Sequence, residues 1–424
     1  MGEPTSKPFV IDKWAVVEAY RRVKANAGAA GVDEQSLQDF EVNLQANLYV
    51  IWNRMSSGTY FPPPVKAVEI PKATGGTRRL GVPTVADRIA QTVAAMVLEP
   101  KVEPIFHPDS YGYRPGRSAI DALRVCRERC WKYDFVIDLD LKSFFDTIPH
   151  DLLVRAVEHH LDRDQRWVLL YVRRWLVAPL QTQDGNLVVR DCGTPQGSSI
   201  SPVLANLFLH YALDSWMVRT FPDIRFERYA DDVVAHARTE RQAREVLAAI
   251  SDRLAECGLA LNEAKTHIVY CRDSRRRGSW DGPIRFDFLG YTFRPRSVRS
   301  RTGQLFVGFT PAVSDAAGKR MRKEIRRWRL HLRTRTTLDD LAREINPVTR
   351  GWLNYYGQFH RSALSRTFNS IDAYLARWLM RKYKRFQNPS SPGLPVLAGG
   401  QTTPAGPVRA LAVGGDNGGM MGAG

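Results

Sequence analysis

The chain has 424 residues, of which 44% are apolar, 25% charged and 10% aromatic. That is enough apolar material for two or three packed domains, and it excludes a chain disordered throughout. The formal net charge of +17 asks for a polyanionic partner, nucleic acid first and an acidic membrane surface second.

Residues 12–55 carry helical periodicity interrupted at Ala29-Ala30-Gly31, and Ser57-Gly58 with Pro62-Pro63-Pro64 ends it. Val65 to Ile70 is predicted as a strand, Thr74-Gly75-Gly76-Thr77 as a hairpin turn and Arg78 to Val82 as the return strand. Helices are expected over 85–98 and 121–132, then a buried strand, Phe135 to Leu141, with acids inside it. Leu152 to Leu176 reads as one helix and Leu187 to Arg190 as a short strand. Ser201 to Arg219 reads as a long, largely buried helix, with Ser201 as its cap and Pro202 at the first helical position. Ile224 to His236 is predicted as strand, tight turn and strand, and Gln242 to Cys257 as an amphipathic helix closed by Gly258. Short strands follow around 267–270, 286–293 and 305–309. Strands in succession that then alternate with helices suit an α+β fold.

The character changes near Ser314. From Lys319 to Arg385 there are 18 Lys and Arg against 5 Asp and Glu, a balance of +13 within the whole-chain +17. The excess charge therefore sits mainly in one helical module; its first helix, Lys319 to Arg329, reads as charged nearly all round. After Gln387 the composition collapses to Pro, Gly, Ala and Ser, and residues 388–424 are predicted to be a disordered tail. No run of 18 apolar residues suggests a membrane span, and the N-terminus shows no secretory apolar core. The five cysteines (Cys126, Cys130, Cys192, Cys257 and Cys271) are odd in number and scattered, which argues against a disulfide framework. Cys126 and Cys130 read as small buried residues, not zinc ligands, and the compartment as reducing, hence cytoplasmic.

The chemistry gathers on carboxylates. Asp231 and Asp232 adjoin each other between two apolar strands, where burial without a counter-charge would be costly. Asp138 and Asp140 lie two apart in an earlier apolar strand, hence on one face of it. Brought together in one sheet, two or three such carboxylates suit Mg²⁺, a hard cation that binds carboxylates and substrate phosphates. Two such ions can clamp the attacking and leaving oxygens of an in-line displacement at phosphorus. Between the acidic segments lies Gly193-Thr194-Pro195-Gln196-Gly197-Ser198-Ser199, whose small residues let backbone approach a ligand. Lys72 and Arg78 flank the Gly75-Gly76 turn, where both can aim at a triphosphate, Arg as a fork and Lys as a point charge.

Tyr229-Ala230-Asp231-Asp232, Gln196-Gly197-Ser198-Ser199-Ile200-Ser201-Pro202 and Asp140-Leu141-Lys142-Ser143-Phe144-Phe145 resemble the palm motifs of reverse transcriptases. Ser110-Tyr111-Gly112-Tyr113-Arg114-Pro115-Gly116-Arg117, Asp87-Arg88, Phe288-Leu289-Gly290-Tyr291 and Gly351-Trp352-Leu353-Asn354-Tyr355-Tyr356 extend the likeness. The chain thus resembles the reverse transcriptase/maturases encoded by bacterial group II introns, of the class lacking an endonuclease domain, over residues 12–385. No Cys/His-rich nuclease segment follows residue 387. The resemblance implies an α+β right-hand polymerase: fingers and palm with an antiparallel sheet over 1–312, and a basic helical thumb/maturase module over 313–387.

The implied activity is RNA-directed DNA polymerisation with two Mg²⁺ ions, Mn²⁺ being a substitute, held by Asp140, Asp231 and Asp232. Asp138 and Asp146 do not fit the family pattern as ligands. Phe145 resembles the aromatic gate that collides with a 2′-hydroxyl, Gln196 the residue that meets the incoming nucleotide, and Lys265 a lysine near the leaving pyrophosphate. The implied partners are an RNA template, a DNA primer, dNTP and group II intron RNA, the last gripped by the basic module through backbone and shape. Two other readings stand beside this one: a domesticated relative serving phage defence or spacer acquisition, and an RNA-binding maturase whose polymerase activity is secondary.

Overall fold

The computed structural model describes residues 7–71, 77–276, 278–300 and 302–383. Lys72, the turn at 73–76 and the predicted tail at 388–424 lie outside the described residues. The strands, in chain order, are β1 (Val65–Pro71), β2 (Thr77–Val82), β3 (Phe135–Asp140), β4 (Leu180–Gln181), β5 (Leu187–Val188), β6 (Arg225–Tyr229), β7 (Asp232–Ala237), β8 (His267–Tyr270), β9 (Phe286–Phe288), β10 (Tyr291–Arg299) and β11 (Leu305–Val313). The chain divides into two compact units. One holds residues up to Arg129 together with Tyr133–Ile268, the other Cys130–Lys132 and residues from Val269 onward.

In the first unit, the helix Lys13–Ala25 starts where the Asp12 side chain accepts from Trp14 N at 3.0 Å. Val16, Ala19, Tyr20 and Val23 follow at helical spacing and are buried. The helix Val85–Val102 is capped by Thr84 and runs past its expected end, through Pro100. It is buried on several sides because it packs against the helices Lys13–Ala25, Leu44–Ser56, Arg166–Val177 and Ser201–Leu209.

The helix expected over 152–176 is two helices, His150–His159 and Arg166–Val177. Asp162 and Gln165 form a capping box between them, opening the short 3-10 turn Arg163–Gln165 that precedes the second helix. Ser201 is not a cap. It lies inside the helix Ser201–Leu209, and its hydroxyl meets the Thr194 hydroxyl at 2.6 Å. That helix continues through a π turn, His210–Asp214, into Ser215–Thr220.

Two four-stranded sheets serve this unit, in the orders β2-β1-β4-β5 and β6-β7-β3-β8. In the second, β3 pairs antiparallel with β7, and β6 forms a hairpin with β7.

In the second unit, the run expected as one strand over 286–293 is the hairpin β9–β10, turned at Leu289 and Gly290, both left-handed (φ 49° and 80°). β10 also pairs along its length with β11. The helices Asp315–Arg327, Leu338–Tyr356 and Ser365–Lys382 enclose a core that includes Ile325, Leu341, Ile345, Ile371, Leu375 and Trp378. Trp328 and Trp352 stack nearly parallel, with centroids 5.6 Å apart, so these aromatics pack the module. The first helix is not charged all round: Ala317, Gly318, Met321 and Ile325 form a buried stripe.

The second unit holds the β9–β11 strands together with the helices that follow them. Tyr355 donates to the Leu289 carbonyl at 2.8 Å, and Tyr291 donates to the Tyr355 carbonyl. Among the described residues, no helix is long and apolar enough to cross a membrane.

Candidate functional site: a carboxylate cluster in a cleft

The register of the central sheet decides which acids meet. Asp140 ends β3 directly opposite Asp232 at the start of β7, while Asp138 stands opposite Val234. Directly opposed residues project on one face with Cβ atoms about 5 Å apart, so the Asp140 and Asp232 side chains are neighbours. Asp138 shares the Asp140 face but lies about 7 Å further from the turn. Ala230 and Asp231 form the two-residue turn between Tyr229 and Asp232, with Ala230 left-handed (φ 57°). The backbone at Gly112 presses on this turn: a Cβ at that position would lie 2.3 Å from Ala230 N.

The segment after Gly258 is strapped along the end of β3. Asn262 N donates to the Asp140 carbonyl at 2.8 Å, and Asp140 N donates to the Thr266 hydroxyl at 3.3 Å. Lys265 is thereby delivered with Nζ 3.4 Å from both carboxylate oxygens of Asp140. The site is electrostatically loaded. Burial, then the charges of Asp231 and Asp140, push the Asp232 carboxyl up to about 7, with Lys265 opposing. Asp232 keeps contact with solvent, yet protein surrounds it on enough sides for its charge to be poorly hydrated. Burial and Asp140 raise Asp231 as well, against Arg78 and Arg228.

A cleft of about 920 Å³ opens here, lined by Asp140, Asp231, Arg78, Phe145, Gln196 and Lys265 among others. Of the expected site residues, Asp140, Asp231, Arg78, Phe145, Gln196 and Lys265 line this cleft, Asp232 stands opposite Asp140 in the sheet, and Lys72 lies outside the described residues. Phe145 is 8% exposed and packs edge-on against Phe144, so it serves both core and cleft wall. Gln196 sits on a loop bound to β2, its carbonyl accepting from Gly81 N at 2.8 Å. Gly197 (φ 112°) allows that approach, since a Cβ there would stand 2.6 Å from the Gly81 carbonyl oxygen. The side-chain oxygen of Gln196 is buried without a hydrogen-bond partner. A buried acceptor of that kind wants a donor, and here it borders the cleft.

Several contributors went unread in the sequence. Tyr113, with a left-handed φ of 57°, lines the cleft, as do Val188 at the end of β5 and residues 189–191 beyond it. Gln91 accepts from Ser198 Oγ at 2.6 Å and Ser199 N at 2.8 Å, anchoring the loop that carries Gln196. Gln91 donates in turn to Asp87, which also accepts from Tyr60 and Trp175. Two polar residues at i and i+4 on a buried helix face were the signal available for this network.

Cys126 also has unforeseen neighbours: its sulfur lies with Glu227 and His236, their ligand-type atoms within 4.8 Å of one another, all three buried. The Glu227 carboxylate there is engaged by Arg129 at 3.1 Å and His236 at 2.7 Å, so its charge is met by protein.

The donor set at Asp140, Asp231 and Asp232 suits divalent metal ions in its chemistry, though among the described residues the only trio with ligand-type atoms all within 4.8 Å of one another is Cys126, Glu227 and His236. The three aspartates offer hard oxygens only, and their mutual repulsion is a charge surplus that a cation relieves.

Sequence comparison gives the family. Residues 70–293 match the family model "Reverse transcriptase (RNA-dependent DNA polymerase)", and residues 318–391 match "Group II intron, maturase-specific domain". The chain belongs to the reverse transcriptase family, in its group II intron maturase branch. It is similar to "Protein YkfC" of Escherichia coli, 30% identical over 337 residues that cover 69% of this chain and 83% of that protein. It also resembles the "Group II intron-encoded protein LtrA" of Lactococcus lactis subsp. cremoris, 29% identical over 213 residues covering 50% of this chain and 34% of that protein. A third relative is an "Uncharacterized 91 kDa protein in cob intron" of Schizosaccharomyces pombe, 34% identical over 207 residues. That match covers 48% of this chain and 25% of that protein. Membership implies a right-hand polymerase fold, consistent with the mixed α and β elements and antiparallel sheets described above.

Proposed function

We propose that this protein is an RNA-directed DNA polymerase that extends a primer on an RNA template, and that its C-terminal helical module also binds intron RNA to assist splicing and mobility. The observation that carries the reading is the pairing of Asp140 with Asp232 across the sheet, with Asp231 in the adjoining turn. In this reading the β6-β7-β3-β8 sheet is the palm, the N-terminal helices and the β1–β2 hairpin are the fingers, and the basic helices are the thumb.

Asp140, Asp231 and Asp232 would hold two Mg²⁺ ions, with Mn²⁺ able to substitute. When bound, the ions assist ionisation of the primer 3′-hydroxyl and neutralise the leaving pyrophosphate. The remaining roles belong to the protein. Arg78 offers a guanidinium fork to the triphosphate of a dNTP at the cleft wall. Gln196 offers its unpartnered oxygen to a donor on the incoming nucleotide. Phe145 presents a ring held by Phe144, rigid enough to reject a 2′-hydroxyl by contact. Lys265 steadies Asp140 and supplies a positive charge for which pyrophosphate competes.

The exposed face of Asp315–Arg327 carries Lys319, Arg320, Lys323, Arg326 and Arg327 opposite its apolar stripe, which suits a nucleic-acid backbone. The maturase-domain match over 318–391 supports splicing assistance as its second task.

The test is primer extension on an RNA template with dNTP and Mg²⁺. Wild type should synthesise cDNA, and Asp231→Ala should not, while retaining intron RNA binding. Undiminished extension by a folded Asp231→Ala chain would refute the assignment of the acids.

A further inference from the structure

Arg228 has no solvent exposure at its side chain, and neither does its partner Asp214. Taking such a pair from water is costly, and only good geometry with complete hydrogen bonding can offset it. Here the geometry is nearly complete. Arg228 donates from Nε to Asp214 Oδ1 at 2.8 Å and from Nη2 to Asp214 Oδ2 at 2.6 Å. Its Nη1 donates to Asn206 Oδ1 at 2.8 Å and to the Ala230 carbonyl at 3.0 Å.

The last contact is the informative one. Ala230 is the left-handed residue of the turn that carries Asp231 and leads into Asp232. An alanine held left-handed is strained, so the surroundings must impose it. Arg228 does so from beneath, by holding the carbonyl of the strained residue. Asn206 extends the clamp sideways: its Nδ2 donates to the Gly112 carbonyl at 2.7 Å, and Gly112 is the backbone pressed against Ala230. The main chain of Arg228 joins the same segment, donating to the Asp109 carbonyl at 2.9 Å and accepting from Tyr111 N at 2.8 Å.

The π turn has a place in this arrangement. Asn206 and Asp214 are eight residues apart, which on a regular α-helix sets them about 80° apart around the axis. The wider turn at His210–Asp214 takes up part of that offset and lets both side chains reach one guanidinium.

We propose that Arg228, oriented by Asp214 and Asn206, is a positioning residue that fixes the 230–231 peptide and so presents the three carboxylates to divalent ions in a single arrangement. The proposal rests on the polymerase reading given above.

The test uses the full chain. Arg228→Lys keeps a cation for Asp214 but lacks the fork that reaches Asn206 and the Ala230 carbonyl together. Asn206→Ala leaves the Arg228–Asp214 ion pair intact, removes the side-chain bonds to Arg228 Nη1 and to the Gly112 carbonyl, and serves where Arg228→Lys fails to fold. Three readouts are taken: Mn²⁺ binding to the protein alone, followed by the electron paramagnetic resonance of free Mn²⁺; kcat for primer extension against Mg²⁺ concentration; and Kd for primer–template.

The expected result is Mn²⁺ binding weakened about 10–100-fold in Arg228→Lys. The kcat should fall by a similar factor and be partly restored by high Mg²⁺, with primer–template Kd unchanged. Asn206→Ala should move the same quantities in the same direction by less. Folded variants with wild-type Mn²⁺ binding and wild-type kcat, differing only in thermal midpoint, would overturn the positioning role while leaving the polymerase reading intact. A wild-type chain that neither extends a primer nor binds Mn²⁺ would overturn both.

Discussion

Asp87 offers a quantitative test of the network beneath the cleft. Its carboxyl is fully buried, and burial raises it from 3.8 to about 6, against the opposing pull of hydrogen bonds from Trp175, Tyr60 and Gln91. The unfolded chain releases this proton near pH 3.8, and the folded chain holds it to about pH 6. Between those values the native state binds more protons, so stability must fall as pH rises. The contribution is fully present below 3.8, lost on passing through about 6, and absent above. The gap corresponds to about 3 kcal/mol.

The perturbation is Asp87→Asn, which cannot ionise. Urea unfolding of both chains from pH 4 to pH 8 isolates this group, because other titrations cancel in the difference. Wild type should lose about 2 kcal/mol relative to Asp87→Asn between pH 4 and pH 7, then run parallel to it. Curves that stay parallel throughout, or a wild type that gains on the variant as pH rises, would mean that the three donors outweigh burial and keep Asp87 ionised.

Other outcomes follow from the same structure. Gly112→Ala forces a Cβ to within 2.3 Å of Ala230 N, so cDNA synthesis should drop sharply while RNA binding by the basic module persists, as read by extension and filter binding. Phe145→Ala should raise rNTP incorporation relative to dNTP by about tenfold or more, measured by competitive single-nucleotide extension; unchanged discrimination would leave Phe145 as core alone. Trp378→Ala removes the largest fully buried side chain of the helical core and the bond from its Nε1 to the Arg333 carbonyl, and should cost about 3–5 kcal/mol in unfolding experiments. Intron RNA affinity should fall about 10³-fold from 50 to 200 mM salt if six phosphates are contacted, and reversing Lys319, Arg320 and Lys323 to Glu should flatten that dependence.

Local chemistry made much of this protein readable in advance. Apolar periodicity marked the helix Gln242 to Cys257 and the strands 135–141 and 224–236, because burial requirements repeat with the geometry of each element. The adjacency of Asp231 and Asp232, and the small residues around Gln196, declared themselves as composition. What lay beyond the sequence was pairing across distance. Whether Asp138 or Asp140 faces Asp232 depends on the register of β3 against β7, and a shift of one residue would turn every side chain of β3 to the other face. The break between the helices at 150–159 and 166–177 turned on a capping box that competed with continuous helix. The assembly beneath the turn was equally hidden. Arg228, Gly112 and the helical pair Asn206 and Asp214 come from three separate stretches of chain, and a buried guanidinium looks like any other arginine until packing removes its water. Sequence alone determined which groups could carry the chemistry; tertiary structure decided which of them meet, because proximity between residues far apart in the chain is set by register and packing.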